Sequence, residues 1–248
     1  MKSINKKHNN SVFGDKIKCP TVLDWYPSDT RKRFESQPKE HQDYWHEQPP
    51  LRYKLNTYGF RSDEFPEKEY RESITFLGCS QTFGTGLHKE STWASLVAKH
   101  YNLLEINLAI ASGSLDSAFR VYNEWQPIHK SKITCLLLPP CNRMEVARDA
   151  IWNPNITQWE SIGHWSLTSS RYGMELKPFI MDLLSDINQE VRTDRNLAAI
   201  KYMAQETEST FTVSSFEGQY DKARDNLHAG PEWNKNMANK FIKAIGIL

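Results

Sequence analysis

The sequence predicts an α/β domain, in which helices cover both faces of a parallel sheet, behind an irregular N-terminal extension. From Ile74 onward, short apolar runs alternate with segments of helical periodicity, and such alternation is typical of parallel sheets. The first part of the 248-residue chain is instead polar and only weakly periodic. We therefore expect an extension over residues 1–66 and a three-layer α/β/α domain over residues 67–248.

The apolar runs predict four strands. Gly78 follows the first strand, and Pro139 and Pro140 stop the third, because proline cannot donate to a strand ladder. The predicted strands are Ile74–Leu77, Leu103–Ala109, Ile133–Leu138 and Phe211–Phe216. Apolar spacings of three and four predict the helices between and after them. These helices are Ser91–Tyr101 with Ser91 as its cap, Leu115–His129, Glu175–Glu206 with a break near Thr193, and a last helix from Pro231.

Aromatic residues stand out in two segments that have no clear period. In the extension they lie in a charged background, and we expect them to pack the extension on the domain. They are Trp25, Tyr26, Tyr44 and Trp45. Residues 149–172 carry three further tryptophans, which are Trp152, Trp159 and Trp165. This second segment is predicted to be a long loop.

The composition excludes several classes of function. A net charge of +1, with histidine neutral, gives no general attraction to nucleic acid or to an anionic membrane. The four cysteines form no CxxC pair and show no zinc-like spacing. No apolar stretch follows the basic residues near Met1, and no segment is apolar enough to span a bilayer. We expect a cytoplasmic protein, although a phage protein released by lysis would have the same features.

Polar residues follow each predicted strand. They are Ser80, the segment 111–113, Asn142 and the tetrad Asp225-Asn-Leu-His228. Because ligands bind beyond the carboxyl ends of parallel strands, we expect these residues to gather at one sheet edge. A serine together with an Asp-x-x-His segment supplies the parts of a serine hydrolase.

Each of these pieces taken singly has a simpler interpretation. A serine after a strand-end glycine is usually a turn or a helix cap. Asp225 and His228 could equally form a solvated turn with a local hydrogen bond. Their order along the chain, each after its own strand, favours a catalytic site.

The chain resembles the SGNH hydrolases, also called the GDSL esterase/lipase family, in four short blocks. The blocks are Gly78-Cys79-Ser80 with Gly84, the segment from Asn107 to Gly113, Pro140-Cys141-Asn142, and Asp225-Asn-Leu-His228. Cys79 replaces the usual aspartate of the first block, and Pro140 replaces the usual glycine of the third. The segment Leu55–Arg61 also resembles a stretch that precedes the domain in some carbohydrate-acylating relatives.

The resemblance implies a flavodoxin-like parallel sheet of four or five strands, with the fifth expected within residues 180–200. It implies acyl transfer by Ser80, with His228 as base and Asp225 as the group that orients the base. The oxyanion would be bound by the amide of Ser80, by the amide of either Ser112 or Gly113, and by the Asn142 side chain. No cofactor or metal is implied.

The substrate expected from the resemblance is a short acyl ester, such as acetyl, on a carbohydrate or another small molecule. Transfer to a sugar hydroxyl is as compatible with these residues as hydrolysis. The alternative is a non-catalytic glycan-binding or structural module, for example a viral one, that keeps the fold.

Four residues are candidates for substrate binding. Arg143 could contact an anionic group of the substrate, although an ion pair with Glu145 or Asp149 is slightly favoured. Trp152, Trp159 and Trp165 could form a stacking wall for a sugar, or they could anchor the loop to the domain. His164, between Gly163 and Trp165, is interpreted as a surface residue.

Overall fold

The computed structural model describes residues 19–150, 153–168, 175 and 177–246. Strands and helices are numbered separately in chain order. They are β1 (Thr21–Leu23), α1 (Arg31–Glu35), α2 (Lys39–Glu47), β2 (Tyr53–Leu55), β3 (Ser73–Leu77), α3 (Ser80–Phe83), α4 (Trp93–Tyr101), β4 (Leu104–Asn107), α5 (Leu115–His129), β5 (Ile133–Leu137), β6 (Met144–Ala150), β7 (Asn153–Ile162), α6 (His164–Thr168), α7 (Lys177–Leu183), α8 (Asp186–Glu206), β8 (Thr210–Ser214) and α9 (Pro231–Ile245). No helix in these ranges has the length and apolar character needed to cross a membrane.

The centre of the domain is a four-stranded sheet in the order β4–β3–β5–β8. All three pairings are parallel, with Ile74 opposite both Glu105 and Ile133, and Ile133 opposite Thr210. The first strand of the domain thus lies between the second and the third, which is the order of flavodoxin-like sheets. The predicted fold class is confirmed.

Helices bury both faces of this sheet. Trp93 of α4 and Phe241 of α9 stack at 4.4 Å between ring centroids and cover Phe76 on one face. On the other face, Trp125 of α5 and Ile200 of α8 belong to the cluster that covers Leu77, Ile106 and Leu136. Alternate residues of β3 therefore enter opposite cores, and this explains why the strand is buried at every position.

Three details of the predicted secondary structure are wrong. Helix α8 runs unbroken through Thr193, and the break lies before it, at Ser185, which has extended dihedral angles and precedes the first turn of α8. Residues 180–200 are helical apart from this break, so the fifth strand expected there is also wrong. Helix α4 begins at Trp93, because the side chain of Thr92, and not of Ser91, accepts the Ser95 amide.

The prediction of a long loop over residues 149–172 is wrong as well for the described part of that segment, residues 149–150 and 153–168. Strands β6 and β7 form an antiparallel hairpin in which Met144 pairs with Ile162. The hairpin is held on α5, where Nε and Nη2 of Arg120 lie 2.6 and 3.0 Å from the carboxylate oxygens of Glu145. Because its few apolar residues stand among charged ones, the hairpin shows no sustained alternation in the sequence.

The extension contains short regular elements between its loops. Strands β1 and β2 form an antiparallel pair, and α1 and α2 lie between them in the chain. A buried cluster joins aromatic residues of the extension to Phe83, Leu87, Ala109, Ala111 and Ala223 of the domain; it includes Tyr26, Phe34, Trp45 and Tyr53. Tyr44 instead points outward. The extension therefore covers the end of the sheet at which β3 and β4 finish.

Candidate active site

Ser80 stands at a sharp turn between β3 and α3. Gly78 has a φ of +153°, and a Cβ built there would lie 2.2 Å from Thr82 Oγ1 and 2.9 Å from the Leu137 carbonyl oxygen. No side chain larger than that of glycine fits without a shift of the surrounding atoms. The close packing fixes Ser80, which is the first residue of α3, at the carboxyl edge of the sheet.

Asp225 and His228 lie in the loop between β8 and α9. The loop is closed by the Ala223 amide, which donates to the His228 carbonyl at 3.0 Å. Oδ1 of Asp225 accepts the backbone amides of Leu227 and His228, both at 3.1 Å. The aspartate is thus held by its own loop before it contacts the imidazole.

The three side chains form one continuous hydrogen-bonded chain. Nδ1 of His228 lies 2.5 Å from Asp225 Oδ2, and Nε2 lies 2.8 Å from Ser80 Oγ. When Nδ1 donates to the carboxylate, Nε2 is left as the acceptor for the Ser80 hydroxyl. Ser80 and His228 are 148 positions apart in the sequence, and the structure brings them together.

The environment of Asp225 keeps its carboxylate charged. Burial acts to raise the pKa, but the hydrogen bond and charge of His228 and the two backbone amides outweigh it, so the pKa of Asp225 lies below its ordinary value. A charged carboxylate can stabilise an imidazolium on His228.

The structure separates the two amides that the sequence left as alternatives for an oxyanion. The Gly113 amide donates to the Ile110 carbonyl at 2.8 Å. Ser112 has a φ of +63°, and its amide donates to no other group in the described part of the chain. The Ser80 amide is also without an acceptor among these residues, at the start of α3. The amides of Ser80 and Ser112 are therefore the ones available to a ligand.

Asn142 follows β5, and its side-chain amide lies 3.2 Å from Nδ1 of His164. His164 begins α6, directly after the hairpin, and is exposed. This contact has no signal in the sequence, since twenty-two positions separate the two residues and only the hairpin brings them together.

The candidate substrate-binding residues lie in different environments. Arg143 does not form the ion pair with Glu145 that the sequence favoured, because Glu145 binds Arg120; the side chain of Asp149 lies outside the described ones. The guanidinium of Arg143 instead lies 5.3 Å from the ring centroid of Trp165, whose side chain is 43% exposed.

Another tryptophan of this segment, Trp159, offers less to a ligand than Trp165. Trp159 is partly buried beneath the guanidinium of Arg120, at 4.5 Å from the ring centroid. Trp152 lies outside the described residues. Trp159 therefore packs the hairpin against α5.

Asn107, from the second block of the resemblance, binds backbone groups through its side chain. Its Nδ2 donates to the Thr82 carbonyl at 3.1 Å, and its Oδ1 accepts the Ala109 amide at 3.1 Å. It ties the end of β4 to α3. In the described ranges, no three His, Cys, Asp or Glu side chains form a group that could hold a metal ion.

No protein-family model and no curated protein matches the sequence. Among solved structures, a psychrotrophic esterase, EstA, from Pseudoalteromonas sp. is 12% identical, with a TM-score of 0.36 over 71% of this chain and 97% of that one. A putative lipolytic protein of the G-D-S-L family from Desulfitobacterium hafniense is also 12% identical, with a TM-score of 0.33 over 69% of this chain and 98% of that one.

A third structure is that of a carbohydrate esterase whose active site is described as having divergent catalytic and non-catalytic binding functions. It is 11% identical, with a TM-score of 0.38 over 81% of this chain and 69% of that one. These similarities concern the fold and carry no argument about the reaction. The argument about the reaction rests on the geometry of the site.

Proposed function

We propose that this protein is a serine-dependent ester hydrolase or acyltransferase of the SGNH type, with Ser80, His228 and Asp225 as its catalytic triad. The observation that carries the proposal is the unbroken hydrogen-bonded chain between these side chains, with distances of 2.5 and 2.8 Å. This chain lies at the carboxyl edge of a parallel sheet, where ligands of such sheets bind.

The reaction follows from the direction of these hydrogen bonds. His228 takes the proton of Ser80 while Oγ attacks the ester carbonyl carbon, and Asp225 stabilises the imidazolium. Collapse of the tetrahedral intermediate expels the alcohol, which receives that proton from His228 and leaves the acyl group on Ser80. Water, or a sugar hydroxyl, then gives its proton to His228 and attacks the acyl carbon. Collapse of this second intermediate breaks the bond to Ser80, whose Oγ takes the proton back from His228.

The oxyanion of each tetrahedral intermediate would be bound by the amides of Ser80 and Ser112 and by the side chain of Asn142. The commitment of the Gly113 amide to Ile110 supports Ser112 over Gly113. One such donor typically contributes about 3–4 kcal/mol to lowering the barrier.

We propose a short acyl group, such as acetyl, on a carbohydrate as the substrate. Trp165 supports this choice, because it presents an exposed ring beside the guanidinium of Arg143. A flat apolar face next to a hydrogen-bond donor suits a sugar ring. Trp45 of the extension is buried, and Trp159 packs on Arg120, so Trp165 is the tryptophan that we propose contacts the sugar.

The test is a serine-directed fluorophosphonate together with a Ser80→Ala variant. We expect the reagent to label the wild type at Ser80, and the variant to lose hydrolysis of p-nitrophenyl acetate while its melting temperature is unchanged. Wild-type turnover in Ser80→Ala would exclude this serine as the nucleophile. A folded wild type that is neither labelled nor active would favour the glycan-binding or structural alternative.

A further inference from the structure

Arg224, the residue that precedes Asp225, is bound through its side chain to the N-terminal extension. Its Nε lies 3.2 and 3.1 Å from the two carboxylate oxygens of Asp29, and its Nη2 lies 2.6 Å from Oδ2. Nη2 also donates to the Asp24 carbonyl at 2.7 Å, and the guanidinium lies 4.0 Å from the ring centroid of Trp25. Asp29 and Arg224 are both buried. The partners of this guanidinium therefore come from residues 24–29.

The same carboxylate is connected to the turn that follows α3. Tyr53 Oη donates to Asp29 Oδ2 at 2.5 Å and accepts the Gly86 amide at 2.8 Å. The Gly86 carbonyl in turn accepts the backbone amide of Arg224 at 3.0 Å. These hydrogen bonds close a ring of four residues, which we call the Asp29 ring: Asp29, Tyr53, Gly86 and Arg224.

Within the Asp29 ring, the turn after Ser80 and the loop of Asp225 are in direct contact. A Cβ built on Gly86 would lie 2.8 Å from Ala223 Cβ, 3.1 Å from the Arg224 nitrogen and 3.2 Å from Asp225 Oδ1. There is no space between the two segments, so a displacement of Arg224 is transmitted to Asp225.

We propose that Arg224 is a positioning residue for the triad, and that Asp29 and Tyr53 of the extension hold it in place. The proposal rests on the proposed function, since it concerns how His228 is kept 2.8 Å from Ser80. The loop of Asp225 closes on itself, but its own hydrogen bonds do not fix its distance from α3. That distance is fixed by the Asp29 ring and by the Ala229 amide, which donates to Gln81 Oε1 at 3.2 Å.

The chemistry of Arg224 and Asp29 explains why the positioning role needs an arginine and a carboxylate. A guanidinium presents several donors in a rigid fork, which a lysine ammonium cannot reproduce. A buried charge that loses its partner is strongly unfavourable. Without the Asp29 charge, Arg224 would move toward water and draw the start of the catalytic loop with it.

The experiment measures kcat and KM for p-nitrophenyl acetate in Asp29→Asn, Arg224→Lys and Tyr53→Phe, each normalised to the Ser80 sites titrated with a fluorophosphonate. The matched control is Tyr122→Phe. Tyr122 is as fully buried as Tyr53, and its hydroxyl lies 2.8 Å from Thr134 Oγ1 near the amino end of β5, away from the site.

We expect kcat per titrated site to fall about tenfold to a hundredfold in Asp29→Asn and Arg224→Lys, as for a displaced catalytic group. KM should change by less than about twofold, because the substrate contacts remain. Tyr53→Phe should show a smaller decrease in kcat, and Tyr122→Phe should turn over like the wild type.

A merely structural role would give a different result. It would lower the number of titratable sites while each remaining site kept the wild-type kcat, and this outcome would overturn the proposal. If both charge variants failed to fold, Tyr53→Phe would decide, because it removes one oxygen atom; a kcat per site equal to that of Tyr122→Phe would overturn the proposal. A wild type not labelled at Ser80 would overturn the proposed function, and the positioning role with it.

Discussion

Replacing Asp225 by asparagine is the sharpest test of the proton path, because it changes one atom of the side chain and keeps its shape. Oδ1 could still accept the amides of Leu227 and His228, which lie at 3.1 Å. The new amide nitrogen would stand 2.5 Å from Nδ1 of His228, where the carboxylate oxygen now lies. Two N–H groups cannot face each other, so the imidazole must place its proton on Nε2.

The size of the effect follows from this change of tautomer. With a proton on Nε2, His228 can no longer accept the proton of Ser80 across the 2.8 Å contact. In a Ser-His-Asp triad this exchange lowers kcat about 10⁴-fold, which is about 5 kcal/mol of barrier. Asp225→Ala should lose less, because it leaves room for a water molecule that can accept from Nδ1.

The assay is the turnover of p-nitrophenyl acetate by both variants, next to His228→Ala, with melting temperatures recorded for each. We expect Asp225→Asn to stay folded at neutral pH, since its loop hydrogen bonds remain, but to melt somewhat below the wild type because the stabilising carboxylate charge is lost. An Asp225→Asn enzyme within about tenfold of the wild-type kcat would refute the proposed proton path.

The melting temperature of Asp225→Asn at acidic pH is a second test of the role of this carboxylate. Burial raises the pKa of Asp225, but the His228 hydrogen bond and the backbone amides lower it further, so the net pKa lies below the ordinary value of 3.8. The carboxylate therefore adds stability above that ordinary value, and the contribution is lost as the pH falls through the lowered pKa. Asparagine does not titrate, so the melting-temperature advantage of the wild type should narrow in acid. An advantage that stayed constant from pH 7 to strongly acidic pH would contradict this account.

Three further predictions concern the substrate. Asn142→Ala should lower kcat about 10²–10³-fold, as expected for one oxyanion donor, and an unchanged kcat would remove it from the site. A two-carbon p-nitrophenyl ester should be hydrolysed faster than a twelve-carbon one, since no broad apolar surface for long chains is evident in the sequence; the reverse order would contradict it. Trp165→Ala should weaken turnover of an acetylated sugar with little change in melting temperature, whereas Trp45→Ala, which empties a buried site, should lower the melting temperature substantially. If Trp165→Ala acted only on stability, the carbohydrate proposal would lose its support.

The sheet and the helices against it could be predicted because their burial dictates their sequence. Strands β3 and β5 are buried at every position, and most of their residues are accordingly apolar. Helix α5 has its predicted bounds, Leu115–His129, and it begins after Ser114, whose side chain caps it. The hairpin of β6 and β7 was missed because it is held by a mixture of contacts, the apolar ones of Met144 and Ile162 and the ion pair of Arg120 with Glu145. Such a mixture leaves no sustained period in a sequence.

In the site, too, features that follow from strand order could be predicted, and features that depend on particular contacts could not. That Ser80, Asp225 and His228 lie together could be predicted, because each follows a strand and parallel strands end at one edge. The choice between the amides of Ser112 and Gly113 could not be predicted, since it depends on which of them already donates a hydrogen bond within the local turn. The contact of His164 with Asn142 depends on where the hairpin returns, and neither residue carries a sign of it.

The extension shows most clearly why a motif does not define a functional unit. The sequence presents Asp225-Asn-Leu-His228 as a local element, and its internal hydrogen bonds are indeed local. Arg224, one residue earlier, nevertheless binds Asp29 across 195 positions of the chain. No periodicity or spacing relates two residues so far apart, and an isolated arginine is ordinarily solvated. If removing the Asp29 charge slows Ser80 turnover at each active site while the Tyr122 hydroxyl proves dispensable, the segment before residue 66 must be counted with the catalytic domain.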